Sequence, residues 1–235
     1  MYARYLRFIG IGFGLIAARC DYGNDLKRYY PLDAGFTWSY ALTIRRPANT
    51  SDPIKAASTV TNLPTRTLNG RAVTPQETRQ FDQIQLRFIS EEVDGIAEIA
   101  VQSAGDIVPQ PKNPPNYVLK RPLQQGNEWS STWQSNQFGT VNMIAINKRI
   151  EELRLVRTSA AGHFVDCLRL QISGRGAIAG PNGLTAIKVA GEEWYCADIG
   201  FVEGVFREEL PDLPANTTVI SIKLTDGEVL NLLGI

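Results

Sequence analysis

Pro31-Leu32-Asp33-Ala34-Gly35-Phe36-Thr37-Trp38-Ser39 returns in outline 91 residues later as Pro122-Leu123-Gln124-Gln125-Gly126-Asn127-Glu128-Trp129-Ser130. Both copies read Pro-Leu-x-x-Gly-x-x-Trp-Ser. Pro fixes φ, Gly supplies the turn, and Trp is the first large side chain of the run that follows. Each copy reads as chain entering a β-sheet with its Trp anchored on the buried face. After the first copy, Phe36, Trp38, Tyr40 and Leu42 alternate with Thr37, Ser39, Ala41 and Thr43. That is the period-two pattern of a half-buried strand. The echo raises an internal duplication, with halves at 29–108 and 117–224. Reuse of one turn chemistry in unrelated hairpins is the alternative.

Outward from these two stretches the chain keeps the same character. Ala56 to Asn62 is a short strand rich in Thr and Val, and Asn69-Gly70 is a hairpin turn. Thr78 to Ser90 alternates, with a one-residue phase slip near Asp82. Asp94-Gly95 turns the chain again. Pro109, Pro111, Pro114, Pro115 and Pro122 crowd the next stretch, which forbids helix and interior strand. It is expected to be a linker or a long loop crossing the edge of a sheet. Asn147 to Thr158 could form one short helix, with Glu151-Glu152 and Arg154/Arg157 on its solvent face, but Leu153 and Leu155 keep period two and favour strand. Phe164 to Ile172 is a strand closing at Ser173-Gly174-Arg175-Gly176, and a glycine-rich loop is expected to run to Gly183. Ten to thirteen short strands with frequent turns, and no long helical period after the first twenty residues, predict an all-β domain over 21–235. The expected architecture is a curved antiparallel sheet, a partial barrel or a sandwich.

The first twenty residues differ. Arg4 and Arg7 precede the uncharged run Phe8 to Ala18, followed by Arg19 and Cys20. A positive start, a short apolar core and small residues at its end describe a secretory signal. Eleven residues give a helix of about 16 Å, short of a hydrocarbon core about 30 Å thick. The alternatives are a buried helix or a retained anchor. Residues 1–20 hold Arg4, Arg7 and Arg19 and no acid, so their removal takes the net charge from zero to −3. Neither value supports binding nucleic acid through phosphate neutralisation. Asp21 to Arg28 is polar and expected to be a tether.

Little in the chain carries chemistry. His163 is the one histidine and lies in a turn-like stretch. There is no Cys-x-x-Cys and no histidine pair, so no metal site is expected. The glycines from 174 to 183 lack the spacing of a phosphate loop and have no helix after them. Glu91-Glu92, Glu151-Glu152, Glu192-Glu193 and Glu208-Glu209 are doublets whose side chains point to opposite faces of a strand, not paired carboxylates. No catalytic residue and no cofactor are expected. Cys167 and Cys196 each sit inside a strand candidate, 29 residues apart. In an exported chain they are expected to form a disulfide between neighbouring strands. Trp38, Tyr40, Trp129, Trp133, Trp194 and Tyr195 are candidates for binding a ligand or partner, with an aromatic core as the alternative.

Tyr29-Tyr30-Pro31-Leu32, Gly35 and Trp38-Ser39-Tyr40 resemble the opening of a broad group of uncharacterised bacterial envelope proteins, many of them lipoproteins. Phe164-Val165-Asp166-Cys167-Leu168 and Glu193-Trp194-Tyr195-Cys196-Ala197-Asp198-Ile199-Gly200-Phe201-Val202 resemble their closing motif. Such proteins are similar in outline to lipoprotein-carrier half-barrels, curved sheets with an apolar concave face. Leu15-Ile16-Ala17-Ala18-Arg19-Cys20 resembles a lipobox, with Arg19 where a small residue is usual. The resemblance implies a β fold, an envelope location on the periplasmic side of a membrane or secretion, and Cys20 as a lipid anchor; cleavage near Ala18 is the competitor. The expected function is non-enzymatic binding of a lipid-like ligand or a protein partner. One rival is an accessory subunit of a larger membrane complex. The other is a hydrolase with two acids in a polar cleft. A ligand binder calls instead for a pocket of several hundred Å³.

Overall fold

The computed structural model describes residues 26–46, 52–180 and 182–229. The signal, its alternatives and Cys20 lie outside those residues. A single-turn helix α1 (Leu26–Tyr29) comes first. The strands are β1 (Phe36–Arg45), β2 (Ile54–Asn62), β3 (Arg66–Leu68), β4 (Arg71–Gln80), β5 (Gln83–Glu92), β6 (Gly95–Ser103), β7 (Gln110–Lys120), β8 (Glu128–Ser135), β9 (Asn142–Ser159), β10 (Gly162–Gly180), β11 (Gly183–Cys196), β12 (Gly200–Glu209) and β13 (Thr218–Val229). All ladders are antiparallel, in the order β7-β6-β5-β4-β2-β1-β13-β12-β11-β10-β9-β8, with β3 paired to β4 outside that path. The first and last strands of the chain pair with each other, Trp38 opposite Gly227 and Tyr40 opposite Leu224. The sheet is therefore a meander curled into a nearly closed barrel. Its one gap lies between β7 and β8, neighbours in sequence.

The gap follows from the prolines. Pro111, Pro114 and Pro115 fall within β7 and offer no N–H to a ladder. β7 is thus an edge strand, where a linker or loop was expected. Side chains bridge it to β8 instead. Trp129 Nε1 donates to the Tyr117 carbonyl at 3.1 Å. Asn116 Oδ1 accepts from Ser131 Oγ at 2.6 Å and from the Thr132 amide at 3.0 Å. Asn116→Ala is expected to quicken hydrogen exchange at the Thr132 amide and to lower stability by about 1–2 kcal/mol, because a buried donor loses its partner. Unchanged exchange at Thr132 would mean that something else holds the seam.

The two echoed stretches open β1 and β8, half a barrel apart, each heading a run of six strands along the sheet path. Gly35 (φ 90°) and Gly126 (φ 84°) both occupy the left-handed region their turns require. Leu32 and Leu123 pack on the same core cluster. That cluster fills one end of the barrel. Ile89, Ile96, Leu119, Trp129, Ile150, Leu168, Leu170 and Tyr195, from seven strands, converge on Leu26 and Tyr30. Leu26 is wholly buried. The segment expected to be a tether thus ends as a plug from Leu26 onward. Polar side chains of β2 and β4 hold it. Asn62 Nδ2 donates to the carbonyls of Pro31 (3.0 Å) and Asp33 (3.1 Å), and Thr74 Oγ1 to that of Leu32 (3.2 Å).

Two further differences from the sequence reading have physical causes. The phase slip near Asp82 is a hairpin turn: Phe81 (φ 48°) and Asp82 (φ 59°) are both left-handed, as a two-residue type I′ turn demands. The expected glycine loop is strand. Gly174 and Gly176 lie inside β10, where a Cβ on Gly174 would stand 2.6 Å from the Ala145 carbonyl and from Ile146 Cγ2. Glycine here allows close strand packing against β9.

The tip of the β9–β10 hairpin folds across the outside of the barrel. Arg154 (φ 58°) and Asp166 (φ 54°) are left-handed on its two arms, where the ladder shifts register. From β9, Arg157 reaches past β10 and β11 to Glu203 of β12, its Nε donating at 2.9 Å. Beneath it lie Trp194, stacked at 4.5 Å under the Arg157 guanidinium, and the Cys167–Cys196 disulfide, S–S 2.01 Å. Burial alone would push the Glu203 carboxyl up, but Arg157 and Lys223 hold it below its ordinary value. Elsewhere the outward positions of β9 to β12 carry Asn147, Arg149, Gln171, Lys188, Arg207 and Glu209. A membrane-spanning barrel needs an apolar band there; these strands present charge.

Candidate functional site

The barrel interior is packed solid in one part and hollow in another. Between β8–β9 and β11–β12, Ile144, Ile146, Ile172, Ile187, Val189 and Phe206 fill the space. Trp133 of β8 packs across it, 4.6 Å from the Phe206 ring centroid, and donates from Nε1 to Glu208 at 2.6 Å. Ser135 and Gln137 also donate to Glu208. Above the plug, towards β1 to β7, a cavity of about 620 Å³ remains.

Its walls differ in chemistry. One wall is aromatic and aliphatic: Trp38, Tyr40, Phe201, Phe206, Trp133 and Ile222. The other is polar and comes from β4 to β7: Gln76, Thr78, Gln85, Arg87, Glu98 and Lys112. On β5 the alternation is turned inside out. Gln85 and Arg87 line the cavity, while Leu86 and Phe88 pack with Leu68 and Val73. β3 makes this possible by pairing with β4 and placing Arg66 over the Phe88 ring at 4.7 Å.

Ion pairs line the cavity both in the polar wall and on β9 and β11. Glu98 accepts from Arg87 Nε at 2.5 Å and lies 2.5 Å from Lys112 Nζ. Glu193 lies 2.7 Å from Lys148 Nζ and accepts from the Tyr195 hydroxyl at 3.0 Å. Burial alone would push the Glu98 carboxyl up; Arg87 and Lys112 more than offset this and leave it below its usual range. The Arg87 guanidinium opposes its own burial with the Glu98 charge and is raised. Burial is the main cause that raises the phenols of Tyr30, Tyr40 and Tyr195, with neighbouring Glu193 adding to the rise at Tyr195. These phenols are therefore neutral donors in neutral solution. Tyr30 hydroxyl donates to Gln76 Oε1 at 2.7 Å, and Gln76 in turn to Asn62 at 2.9 Å.

Of the six aromatic candidates, Trp38, Tyr40, Trp133 and Tyr195 line this cavity. Trp129 is buried in the plug cluster at the seam, and Trp194 lies under the folded hairpin on the outer surface. His163 is exposed at the hairpin tip, 2.9 Å from Thr158 Oγ1. No motif in the sequence marks Arg87, Glu98, Lys112 or Lys148 as site residues, and Glu193 shows only as half of an acidic doublet. Their signal was there. Lys148 shares parity with Ile144, Ile146 and Ile150, and Glu98 interrupts the run Ile96-Ala97-Glu98-Ile99-Ala100-Val101. A charge at an inward position of an apolar strand marks either a buried pair or a polar cavity wall.

Fold and site together define a class: a nearly closed antiparallel barrel, plugged at one end, with an amphipathic cavity. No protein-family model matches the chain. No curated protein matches it either. Among solved structures it is similar to a candidate lipoprotein from Parabacteroides distasonis, 12% identical, with a TM-score of 0.42 over 85% of this chain and 98% of that one. It is also similar to a candidate exported protein with a YmcC-like fold from Bacteroides fragilis, 11% identical, with a TM-score of 0.40 over 84% of this chain and 97% of the other.

Proposed function

We propose that this chain is a non-enzymatic binding protein of the bacterial envelope, held to a membrane through its N-terminus, whose barrel cavity takes a lipid-like molecule. One observation carries the reading: a cavity of about 620 Å³ with an aromatic wall facing a polar one. Cavities of roughly 300–1,000 Å³ accommodate small organic ligands, and barrels wider than eight strands leave room inside. The positively charged start, the apolar run Phe8 to Ala18, Cys20 and the disulfide support export and tethering.

The test is titration of the purified protein with the neutral apolar fluorophore N-phenyl-1-naphthylamine. One saturable site per chain is expected. Thr78→Trp, which fills the cavity from β4, is expected to abolish it while the protein stays folded. Metabolic labelling with an alkyne fatty acid, lost in Cys20→Ser, is expected if Cys20 bears the lipid. No saturable binding, together with constant co-purification of other chains, would favour the accessory-subunit reading instead.

A further inference from the structure

We propose that the cavity selects a single-chain amphiphile with one negative charge, its head against Arg87 and Lys112 and its chain along the aromatic wall. This deepens the reading of the cavity as a ligand site and rests on it. Among the described residues, five ionised side chains line the cavity: Arg87, Lys112 and Lys148 against Glu98 and Glu193. Lys148 and Glu193 match one to one at 2.7 Å, and the Tyr195 hydroxyl also donates to that carboxylate. Glu98 alone faces two cations, each at 2.5 Å. Among the described lining residues one positive charge is therefore in excess. Glu208, the other acid nearby, does not line the cavity and is held by Trp133, Ser135 and Gln137.

An uncompensated charge in a partly enclosed space is costly, and an incoming anion relieves that cost. The placement suits one. Arg87 meets Glu98 through Nε and also hydrogen-bonds the Tyr30 phenol, so an anionic head entering here meets the guanidinium and the phenol together. Lys112 stands on edge strand β7, at the seam. Opposite are Trp38, Tyr40, Trp133 and Phe206, which offer apolar surface without competing charge. A cationic amphiphile would meet two cations whose one carboxylate is already satisfied. A neutral one would leave the charge unmatched. The cavity volume, midway in the range for small ligands, fits one chain with its head. A fatty carboxylate and a lysophospholipid with a phosphodiester head share this chemistry.

The experiment uses the purified full chain with N-phenyl-1-naphthylamine bound, displaced by a fatty carboxylate, by lysophosphatidylglycerol and by an alkyltrimethylammonium of matched chain length. Both anions are expected to displace the probe about tenfold or more tightly than the cation, as one charge-assisted contact implies. The tighter of the two anions identifies the head. Lys112→Gln is expected to weaken the anions by about tenfold with the neutral probe unchanged. Lys112→Glu, which reverses the surplus charge on an edge strand, is expected to reverse the preference towards the cation. Glu98→Gln, which adds to the surplus, is expected to tighten the anions, an outcome that loss of a merely structural contact would not give. Equal displacement by anion and cation while the neutral probe binds would overturn the charge inference and leave the cavity reading intact. Failure of the neutral probe to bind at all would overturn both.

Discussion

A chain carrying Cys167→Ala and Cys196→Ala is expected to lose about 3–4 kcal/mol of stability. The two cysteines face each other across β10 and β11, 29 residues apart in sequence, and are bridged. Closing a loop of that length removes roughly 3–4 kcal/mol of chain entropy from the unfolded state, on the entropic account of disulfide stabilisation. For a domain of this size that corresponds to a fall in melting temperature of about 10 °C. A local effect is expected with it. Cys167 follows Asp166, whose left-handed backbone marks one arm of the folded hairpin, and whose carboxylate accepts from the Tyr29 hydroxyl at 2.8 Å. Without the bridge, the tip around Thr158 to Val165 should be cut first in limited proteolysis. Urea denaturation of the double variant measures the global term; a loss below about 1 kcal/mol would mean that the bridge constrains little.

Leu26→Ala is expected to cost about 2–5 kcal/mol, the usual range for emptying a fully buried leucine site. Leu26 has no exposed surface and meets residues drawn from several strands, so the walls around it cannot collapse cheaply. Its neighbours are pinned as well. Arg28 pairs with Asp166 and Asp198, both at 3.3 Å, and the Tyr29 phenol is pushed up to about 12 by burial and by Asp166. The plug is thus part of the barrel's core. A midpoint in urea unchanged from that of the parent protein would show instead that the segment before β1 is dispensable.

Much of the architecture was legible because period two is a local signal. The alternation of Phe36, Trp38, Tyr40 and Leu42 matches the observed burial along β1, and the sheet is all antiparallel, as the turn spacing predicted. The cysteine pair was legible because both residues sat in strand candidates. What escaped depends on the far side of each strand. Alternation shows that Gln85 and Arg87 share a face, not that β3 and Leu68 cover the opposite, apolar face and leave the polar one towards the cavity. The six aromatic candidates share only a residue type. Type alone does not separate Trp133, in the cavity wall, from Trp194, beneath the Arg157 guanidinium of the β9–β10 hairpin. The Phe81-Asp82 turn was hidden because neither residue is glycine. Barrel closure through β1 and β13, and the seam at β7, are non-local pairings, although the prolines of β7 already excluded it from the sheet interior.

The space between the aromatic and polar walls is the proposed ligand site. A crystal structure of the protein grown with a fatty carboxylate brominated at its chain end tests it most directly. One anomalous peak is expected inside the barrel, against the wall formed by Tyr40, Trp133 and Phe206, with the carboxylate at Arg87 and Lys112. Bromine found only on the outer surface, with the cavity holding ordered water alone, would contradict it.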